Sequence, residues 1–313
     1  MQFLLFQKNK KMIKIKKYLP YLLGVVFIAS GLAKLISVDF FEQFLYSFKI
    51  LNLDFAIILA RLIIGAELII GLLYLLRIYI KPVSYITLAL LFVFTGFIAF
   101  LEISNSNDDC YCFGTLIQLS NTVSIIKNIM LSIIIILVLR TNFEETLQFK
   151  KSKIIISILL GVCLSFGIYF PNGLFGAKSE VTYCKPCFEN FISNNQLSNK
   201  KIVICFFSNR CKYCQLAAKK ISVISQKARN QKDILYVFWD SNHNPKKFYE
   251  ETKTIPLHSL EMDVLTFIKL TNGEMPLIVL YNKGVIEKTF RYNDINESAI
   301  INFLNVGRQT SAK

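Results

Sequence analysis

The stretch of sequence that decides the fold is residues 201–214, KIVICFFSNRCKYC. Its first half, Lys201–Phe207, is a short apolar run with the length of a buried strand. Ser208–Arg210 predict a turn, and apolar side chains recur at helical spacing from Cys211 to about Arg229. The sequence therefore predicts a strand that leads directly into a Cys-x-x-Cys pair at the start of a helix.

This setting is typical of a redox-active cysteine pair. The unpaired N–H groups and the dipole of a helix N-terminus stabilise a thiolate on the first cysteine. We therefore expect Cys211 to be the nucleophile and Cys214 the more buried resolving thiol. A static disulfide is one alternative. A zinc site is another, because Cys184 and Cys187 could complete a set of four thiolates.

The residues after this pair predict a compact α/β domain. Two more strands, a hairpin return and a closing helix are expected at Ile234–Trp239, Leu277–Tyr281, Val285–Phe290 and Ser298–Leu304. The order of these elements resembles the thioredoxin fold over about residues 195–307. That resemblance implies a cis bond before Pro276, with Met275 and Pro276 lining a substrate groove beside the reactive cysteine.

Apolar residues make up 53% of the chain, and they are concentrated in its first half. Five apolar runs are long enough to cross about 30 Å of hydrocarbon. They cover residues 19–37, 55–76, 83–102, 122–140 and 154–171. The predicted fold class is therefore a membrane all-α bundle of four spans plus a fifth linking span, followed by the α/β thioredoxin-like domain.

The basic residues predict how the chain is oriented in the membrane, because cytoplasmic segments are rich in Lys and Arg. The amino-terminal arm is basic, whereas the predicted outer loops carry acidic residues, including Asp39, Glu42, Asp108 and Asp109. We therefore expect a multi-pass protein of the cytoplasmic (inner) membrane, with membrane lipid as its surroundings. The net charge of +15 fits this orientation and does not indicate a nucleic-acid partner.

The predicted parts of the chain follow from these spans. They are a basic cytoplasmic arm (1–17), a four-helix membrane domain (18–150), a fifth transmembrane helix (151–172), a linker with a CxxC (173–194) and an extracytoplasmic thioredoxin-like domain (195–313).

Two further cysteine pairs fall on the predicted outer side, where disulfides persist. Cys110 and Cys112 lie in the loop between the third and fourth spans. A disulfide between them would close a small ring, which is expected to raise its reduction potential, and a loop-stapling role is the alternative. Cys184 and Cys187 have CxxC spacing, but neither a preceding strand nor a following helix is predicted. Both a relay role and a structural staple are consistent with that pair.

The membrane half carries a combination of motifs in a fixed order. They are FxxxGxxK (Phe27, Gly31, Lys34), GxExxxG (Gly65, Glu67, Gly71), CxCFG from Cys110 to Gly114, and Lys127-Asn128. Together these resemble the MauE branch of the DoxX-like membrane proteins over about residues 18–141, although Tyr111 stands where glycine is expected. The resemblance implies a four-helix, redox-associated bundle linked to disulfide formation in exported proteins. The family name adds the methylamine metabolic process as an inherited label.

Four polar residues of the predicted bundle are candidates for a site inside the membrane: Lys34, Glu67, Lys127 and Asn128. Ionisable groups are costly in lipid unless they are paired or face a cavity. Glu67 could pair with Lys34 or with Arg61, and both lysines could instead extend to the membrane surface.

These features predict a membrane-bound thiol–disulfide oxidoreductase with no covalently bound cofactor. Electrons would pass between extracytoplasmic protein thiols, the Cys211–Cys214 pair and the Cys110–Cys112 pair. No cysteine pair falls on the predicted cytoplasmic side, which favours an acceptor in the membrane. A quinone is the candidate, by fold-level likeness to vitamin K epoxide reductase-like proteins. The main alternative is a non-catalytic maturation factor for an exported enzyme.

Overall fold

The structure is a computed structural model that describes residues 2–103, 114, 120–141, 150–168, 181–228, 231–239 and 245–305. The chain forms two compact units. One comprises residues 1–44 and 58–170, and the other comprises residues 45–57 and 171–313. The first is helical, and the second is built around a β-sheet.

The helical region contains six helices among its described residues. They are α1 (Gln2–Ile36), α2 (Val38–Ser47), α3 (Leu53–Leu75), α4 (Ile80–Ile103), α5 (Asn121–Leu139) and α6 (Lys150–Gly167). Within the described parts of the chain, four segments are long and apolar enough to cross a membrane: Tyr18–Ile36, Leu53–Leu75, Ile80–Phe100 and Asn121–Leu139. The four predicted spans of the bundle are thus confirmed to within a few residues.

Helix α6 occupies the position of the fifth predicted span, but it is not one of these four segments. Its first turn carries Lys150, Lys151 and Lys153, so its apolar part begins only at Ile154. From there to Gly167 a helix rises about 21 Å, which is less than the ~30 Å thickness of the hydrocarbon core. A membrane crossing by α6 therefore stays a prediction.

The helices of the bundle pack through an apolar core and through close contact of small residues. The core cluster includes Leu23, Phe27, Tyr74, Leu131 and Ile135. Helices α1 and α3 approach so closely that a Cβ on Gly71 would lie 3.0 Å from the carbonyl oxygen of Gly24. The outward faces remain apolar, with Phe92 81% exposed and Phe100 64% exposed. Small residues between helices and apolar residues outside are what packing in lipid requires.

Helix α2 replaces the simple outer loop that the sequence predicted around Asp39 and Glu42. Phe41 and Phe44 are buried on it, and the Phe44 ring contacts Phe97 with 6.2 Å between centroids. Its apolar side chains therefore hold this segment against the bundle, and Glu42 is buried with them.

The second unit is a five-stranded mixed sheet with strand order β3-β2-β1-β4-β5. The strands are β1 (Lys201–Phe207), β2 (Ile234–Phe238), β3 (His258–Glu261), β4 (Leu277–Asn282) and β5 (Val285–Phe290). Strand β2 runs parallel to both β1 and β3, whereas β4 runs antiparallel to β1 and β5. The central strands are apolar along their length because helices cover both faces of the sheet.

Among the described residues of this unit, five α-helices accompany these strands: α7 (Lys185–Asn194), α8 (Lys212–Lys227), α9 (Pro245–Thr252), α10 (Val264–Thr271) and α11 (Glu297–Asn305). The predicted strands β1, β2, β4 and β5 and the predicted helices α8 and α11 are confirmed. Strand β3 and helices α7, α9 and α10 are additional. The arrangement is the thioredoxin-like fold that the order of elements predicted.

Helices α7 and α8 lie on opposite faces of the sheet. Alternate residues of a strand point to opposite sides, so the contacts of neighbouring residues show which helix covers each face. One core cluster joins β1 to α7 and includes Ile204, Phe206, Phe188 and Phe191. On the other face, the Phe207 ring packs on Tyr236 at 4.9 Å. The Tyr236 hydroxyl donates a hydrogen bond to the Ala218 carbonyl of α8, at 3.4 Å.

Candidate active site

The first cysteine of the reactive pair is held at the junction of a strand and a helix. Strand β1 ends at Phe207, and a turn follows in which the Cys211 amide donates to the Ser208 carbonyl at 3.2 Å. Cys211 then caps helix α8 with an extended backbone, and its Sγ accepts a hydrogen bond from the Cys214 amide at 3.2 Å. Cys211 is partly exposed, whereas Cys214 is buried.

The two thiols of this pair have opposite proton affinities. The hydrogen bond from the Cys214 thiol, followed by those from the backbone amides of Cys214 and Tyr213, lowers the pKa of Cys211 to about 6 against the opposing effect of burial. Burial raises the pKa of Cys214 far above its usual range, and the Cys211 sulfur raises it further. The thiolate therefore forms on the accessible sulfur, which is the arrangement needed for a nucleophile beside a resolving thiol.

A third cysteine, Cys205, lies in the middle of β1 and is chemically protected. Its side chain is 0% exposed, and burial raises the pKa of its thiol. Burial therefore keeps this thiol protonated, and Cys205 is an unreactive residue of the core.

The Met275–Pro276 peptide bond is cis, as the thioredoxin resemblance implied. Strand β4 pairs antiparallel with β1, and Leu277 lies opposite Phe206. Pro276 therefore lies next to the carboxyl end of β1, where the turn that carries Cys211 begins. Met275 is partly buried against the core. The role of these two residues as the wall of a substrate groove stays a prediction.

Tyr213 is a surface residue of this site to which the sequence interpretation gave no role. It lies between the two cysteines, is 49% exposed, and contacts the Tyr292 ring at 5.2 Å. Its position inside the CxxC is the signal that could have identified it, because the residues between the cysteines are presented at the helix start together with the nucleophile.

The second CxxC differs from its predicted setting. Helix α7 begins directly after Cys184, so the expectation that no helix follows the pair was wrong. The apolar side chains of α7 give it a face that packs on the sheet, and residues 185–194 are thus part of the α/β unit instead of the predicted linker. Cys184 and Cys187 form a disulfide within the first turn of this helix.

The four cysteines of the two CxxC pairs do not assemble into one metal site. Their helices cover opposite faces of the sheet, and Cys184 and Cys187 are already bonded to each other. Across the described residues, no group of three or more His, Cys, Asp or Glu side chains is placed to hold a metal ion. The four-thiolate zinc alternative therefore has no support from the geometry.

The membrane-side pair, Cys110 and Cys112, lies outside the described residues, but the glycine that ends its CxCFG motif is described. Gly114 has a positive φ of 58°, a left-handed conformation that favours glycine. A Cβ at this position would lie 2.0 Å from the Ser37 hydroxyl and 2.3 Å from the Ala33 carbonyl oxygen. The motif therefore ends in close contact with the last turn of α1.

The predicted intramembrane polar residues meet inside the bundle. The Lys34 ammonium donates to both Glu67 carboxylate oxygens, at 2.7 and 2.8 Å, and to the Ser30 hydroxyl at 2.8 Å. Lys34 is only 1% exposed. Of the two partners proposed for Glu67, the structure thus selects Lys34, and Lys34 does not extend to the membrane surface.

Lys127 and Asn128 line the same small cavity of 30 Å³ as Lys34 and Glu67. The Asn128 amide nitrogen donates to the Thr95 hydroxyl at 3.1 Å, whereas its buried carbonyl oxygen has no hydrogen-bond partner within the described part of the chain. The volume corresponds to about one water molecule. All four predicted polar residues are therefore brought together in the bundle.

A second buried ion pair was not predicted. The Arg61 guanidinium hydrogen-bonds the Glu42 carboxylate, and both side chains are 5% exposed. The sequence pattern predicts a loop around Glu42, and the pair follows only once α2 is recognised as an amphipathic helix. This pair explains why Arg61 does not bind Glu67.

Comparisons with known proteins agree with this division of the chain. Residues 12–141 match the family model described as methylamine utilisation protein MauE. Protein TlpB of Flavobacterium psychrophilum is 26% identical over 354 residues, an alignment that covers 91% of this chain and 96% of the relative. No solved structure matches the chain.

The family match confirms the resemblance found in the membrane motifs, and the similarity to the TlpB relative extends over 91% of the chain. Together with the four apolar helices, they identify a multi-pass membrane protein. The cysteine pair of the α/β unit gives this protein a membrane-associated role in thiol–disulfide redox chemistry. Residues 12–141 are thus similar to the MauE family, and a thioredoxin-like unit follows them in the chain.

Proposed function

We propose that this chain is a membrane-bound thiol–disulfide oxidoreductase that exchanges electrons with cysteines of extracytoplasmic proteins through Cys211 and Cys214. The observation that carries the proposal is the opposite shift in the pKa of two sulfurs one helical turn apart. The Cys211 pKa is lowered to about 6, whereas that of Cys214 is raised. Exchange through a mixed disulfide requires an accessible thiolate to attack the partner and a second thiol beside it to resolve the intermediate. The Cys211–Cys214 pair has this arrangement.

The exchange has two steps. In the reducing direction, the Cys211 thiolate attacks one sulfur of a partner disulfide, and the other partner sulfur leaves with the bonding electron pair and takes up a proton. Cys214 then loses its proton and attacks the Cys211 sulfur, which releases the second partner thiol and leaves a Cys211–Cys214 disulfide. The reverse sequence oxidises a partner dithiol.

On the membrane side, we assign the Cys110–Cys112 pair as the next member of the electron path. The support for this assignment is the position of Gly114, which ends the motif against the last turn of α1. That turn contains Lys34, the centre of the buried polar cluster.

A quinone fits this cluster poorly. The cavity bounded by Lys34, Glu67, Lys127 and Asn128 has a volume of 30 Å³, which is about the share of one water molecule. A six-membered quinone ring is larger than that. We therefore derive no step through a quinone at this cavity.

We propose that the amino terminus lies in the cytoplasm and that the α/β unit lies on the outer side of the inner membrane. This orientation requires α6 to cross the membrane, because four crossings alone would return the chain to the cytoplasm. A membrane-impermeant maleimide added to intact cells tests this directly. Labelling of Cys211 supports the orientation, and labelling only after cell lysis contradicts it.

The test of the proposed reaction is a redox titration of the full-length protein in lipid nanodiscs. Thiols are trapped in glutathione buffers and each cysteine is quantified by mass spectrometry. We expect Cys211 and Cys214 to titrate together between about −120 and −230 mV, the range of catalytic thiol–disulfide proteins. Cys205→Ala is the control and leaves this step unchanged.

Two outcomes count against the proposal. A potential below about −300 mV, typical of structural disulfides, contradicts a catalytic pair. An unchanged cellular phenotype when Cys211 and Cys214 are both replaced by Ser indicates the non-catalytic maturation factor instead.

A further inference from the structure

We propose that Cys184 and Cys187 form a second redox-active disulfide, which exchanges with dithiols of other proteins independently of Cys211 and Cys214. This inference goes beyond the proposed function and does not rest on it, because the second site has its own helix, its own access route and its own face of the sheet.

The two pairs share one local geometry. Cys184 caps helix α7 with φ −78° and ψ 100°, and Cys211 caps α8 with φ −85° and ψ 111°. In each case the sulfur of the first cysteine accepts the amide N–H of the second, at 3.3 Å and 3.2 Å respectively. Once the disulfide is reduced, the Cys187 N–H is available to a Cys184 thiolate as the Cys214 N–H is to Cys211. Pro186, in the position of Tyr213, has no N–H to donate.

The position of the disulfide argues against a structural staple. It links two residues of a single helical turn and closes a very short loop, for which the gain from restricting the unfolded chain is smallest. The segment is held in place by other contacts. Val181 and Phe188 are 5% and 2% exposed, and the Cys184 amide donates to the Leu270 carbonyl at 3.0 Å.

The disulfide is also accessible to another protein. Both cysteines are partly exposed, and Cys187 lines a groove of 330 Å³. Three amide side chains line the groove, Asn190, Asn194 and Asn195, and one carboxylate (Glu261) and one ammonium group (Lys269) lie beside them. Amide groups both donate and accept hydrogen bonds, so they can pair with the backbone of an extended peptide. The occupant that we infer is an extended segment of a protein that carries two thiols.

The reaction balances without an added oxidant, because the Cys184–Cys187 disulfide is itself the oxidant. A partner thiolate attacks the Cys184 sulfur, and Cys187 leaves with the bonding electron pair and is protonated. The second partner thiolate then attacks the partner sulfur of the mixed disulfide and releases Cys184 as a thiolate. The products are one partner disulfide and a reduced Cys184–Cys187 pair.

The test uses the full-length protein in nanodiscs with Cys211 and Cys214 both replaced by Ser. The protein is mixed with a reduced peptide that carries two cysteines, and the Cys184–Cys187 peptide is followed by thiol trapping and mass spectrometry. We expect one peptide disulfide to form for each Cys184–Cys187 pair reduced. The pair should also titrate reversibly in glutathione buffers while the protein remains folded by circular dichroism.

A charge variant separates a redox site from a merely accessible disulfide. Lys185 is exposed and follows Cys184 directly, so Lys185→Gln removes a positive charge beside the thiolate. We expect it to decrease the equilibrium constant for reduction by glutathione two- to fivefold, the effect of about one charge at a helix N-terminus. Lys200→Gln, an exposed lysine just before β1, should leave that constant unchanged.

The outcomes distinguish this site from the first one. A Cys184–Cys187 pair that stays oxidised in every glutathione buffer, or that is reduced only when the domain unfolds, overturns the inference, even if Cys211 and Cys214 titrate normally. Titration of Cys184 and Cys187 without titration of the other pair in the wild-type protein supports it and contradicts the proposed function instead.

Discussion

The amide nitrogen of Cys214 lies 3.2 Å from the Cys211 sulfur and donates a hydrogen bond to it across the first turn of α8. The same turn buries the Cys214 thiol completely. One short segment thus stabilises negative charge on one sulfur and opposes it on the other, and this contrast follows from where the helix begins.

The first prediction concerns the reactivity of Cys211 as a function of pH. Because its pKa is lowered to about 6, the rate of its alkylation by iodoacetamide should rise tenfold per pH unit below pH 6 and level off by pH 7. Cys214 should react far more slowly, since its pKa is raised. Quenched alkylation of the reduced protein, read by mass spectrometry, measures both rates. A Cys211 profile that still rises above pH 8 contradicts the assignment.

The same shift predicts how pH affects the stability of the reduced protein. The thiol is an acid whose folded pKa, about 6, lies below its reference value of 9.0. Its thiolate therefore contributes stability that is complete above pH 9 and is lost as the pH falls through 6. We expect the melting temperature of the reduced wild type, relative to Cys211→Ser, to fall between pH 9 and pH 6. The oxidised protein has no such thiolate and should show no corresponding difference.

The reactive pair could be predicted from sequence because its determinants are local. An apolar strand, a three-residue turn and a CxxC at a helix start are contiguous in residues 201–214. The sequence pattern predicts no helix α7, although Pro186 lies in its first turn, where proline is tolerated because the N–H it lacks would have no partner within the helix. The helix is short and carries several polar residues, so its apolar face is understood only from its packing on the sheet.

The partner of Glu67 could not be predicted in the same way. Lys34 and Arg61 were both plausible by charge, and the choice depends on which side chain a third element engages. Helix α2 brings Glu42 to Arg61, and Lys34 is left for Glu67. Pairings between separate helices depend on their rotation and depth in the bundle, which a hydropathy pattern does not specify.

This pairing gives a prediction for the membrane bundle. Glu67→Gln leaves Lys34 buried without a counter-charge and beside Lys127. We expect it to lower the free energy of unfolding by about 3 kcal/mol, the usual effect of removing one partner of a buried ion pair. The double variant Lys34→Met with Glu67→Gln should lose less than the single one, because no uncompensated charge remains. Thermal unfolding in detergent, followed by circular dichroism, measures both.

The Arg61–Glu42 pair offers a matched comparison within the same bundle. Glu42→Gln should destabilise the protein similarly, and Arg61→Met with Glu42→Gln should restore part of the loss. If each double variant is as unstable as the sum of its single variants, the ion pairs are not coupled and their assignment is wrong.

The last prediction concerns the glycine that ends the CxCFG motif. Gly114→Ala requires a left-handed backbone at a residue with a Cβ, which costs about 1–2 kcal/mol. It also directs that Cβ to within 2.3 Å of the Ala33 carbonyl oxygen. Backbone atoms of a packed helix cannot move aside cheaply, so the loop itself must shift. We expect a lower melting temperature and a changed alkylation rate of Cys112.

The control for this variant is Gly96→Ala, whose new Cβ would meet nothing within 4 Å on α4. It should leave both quantities unchanged or raise the melting temperature slightly, since alanine favours helix more than glycine does. Adding Ser37→Ala to Gly114→Ala removes the clash with the hydroxyl but not the one with the carbonyl, so it should restore only part of the stability. Complete restoration would mean that the side chain of Ser37, and not the backbone of α1, limits the approach of the loop.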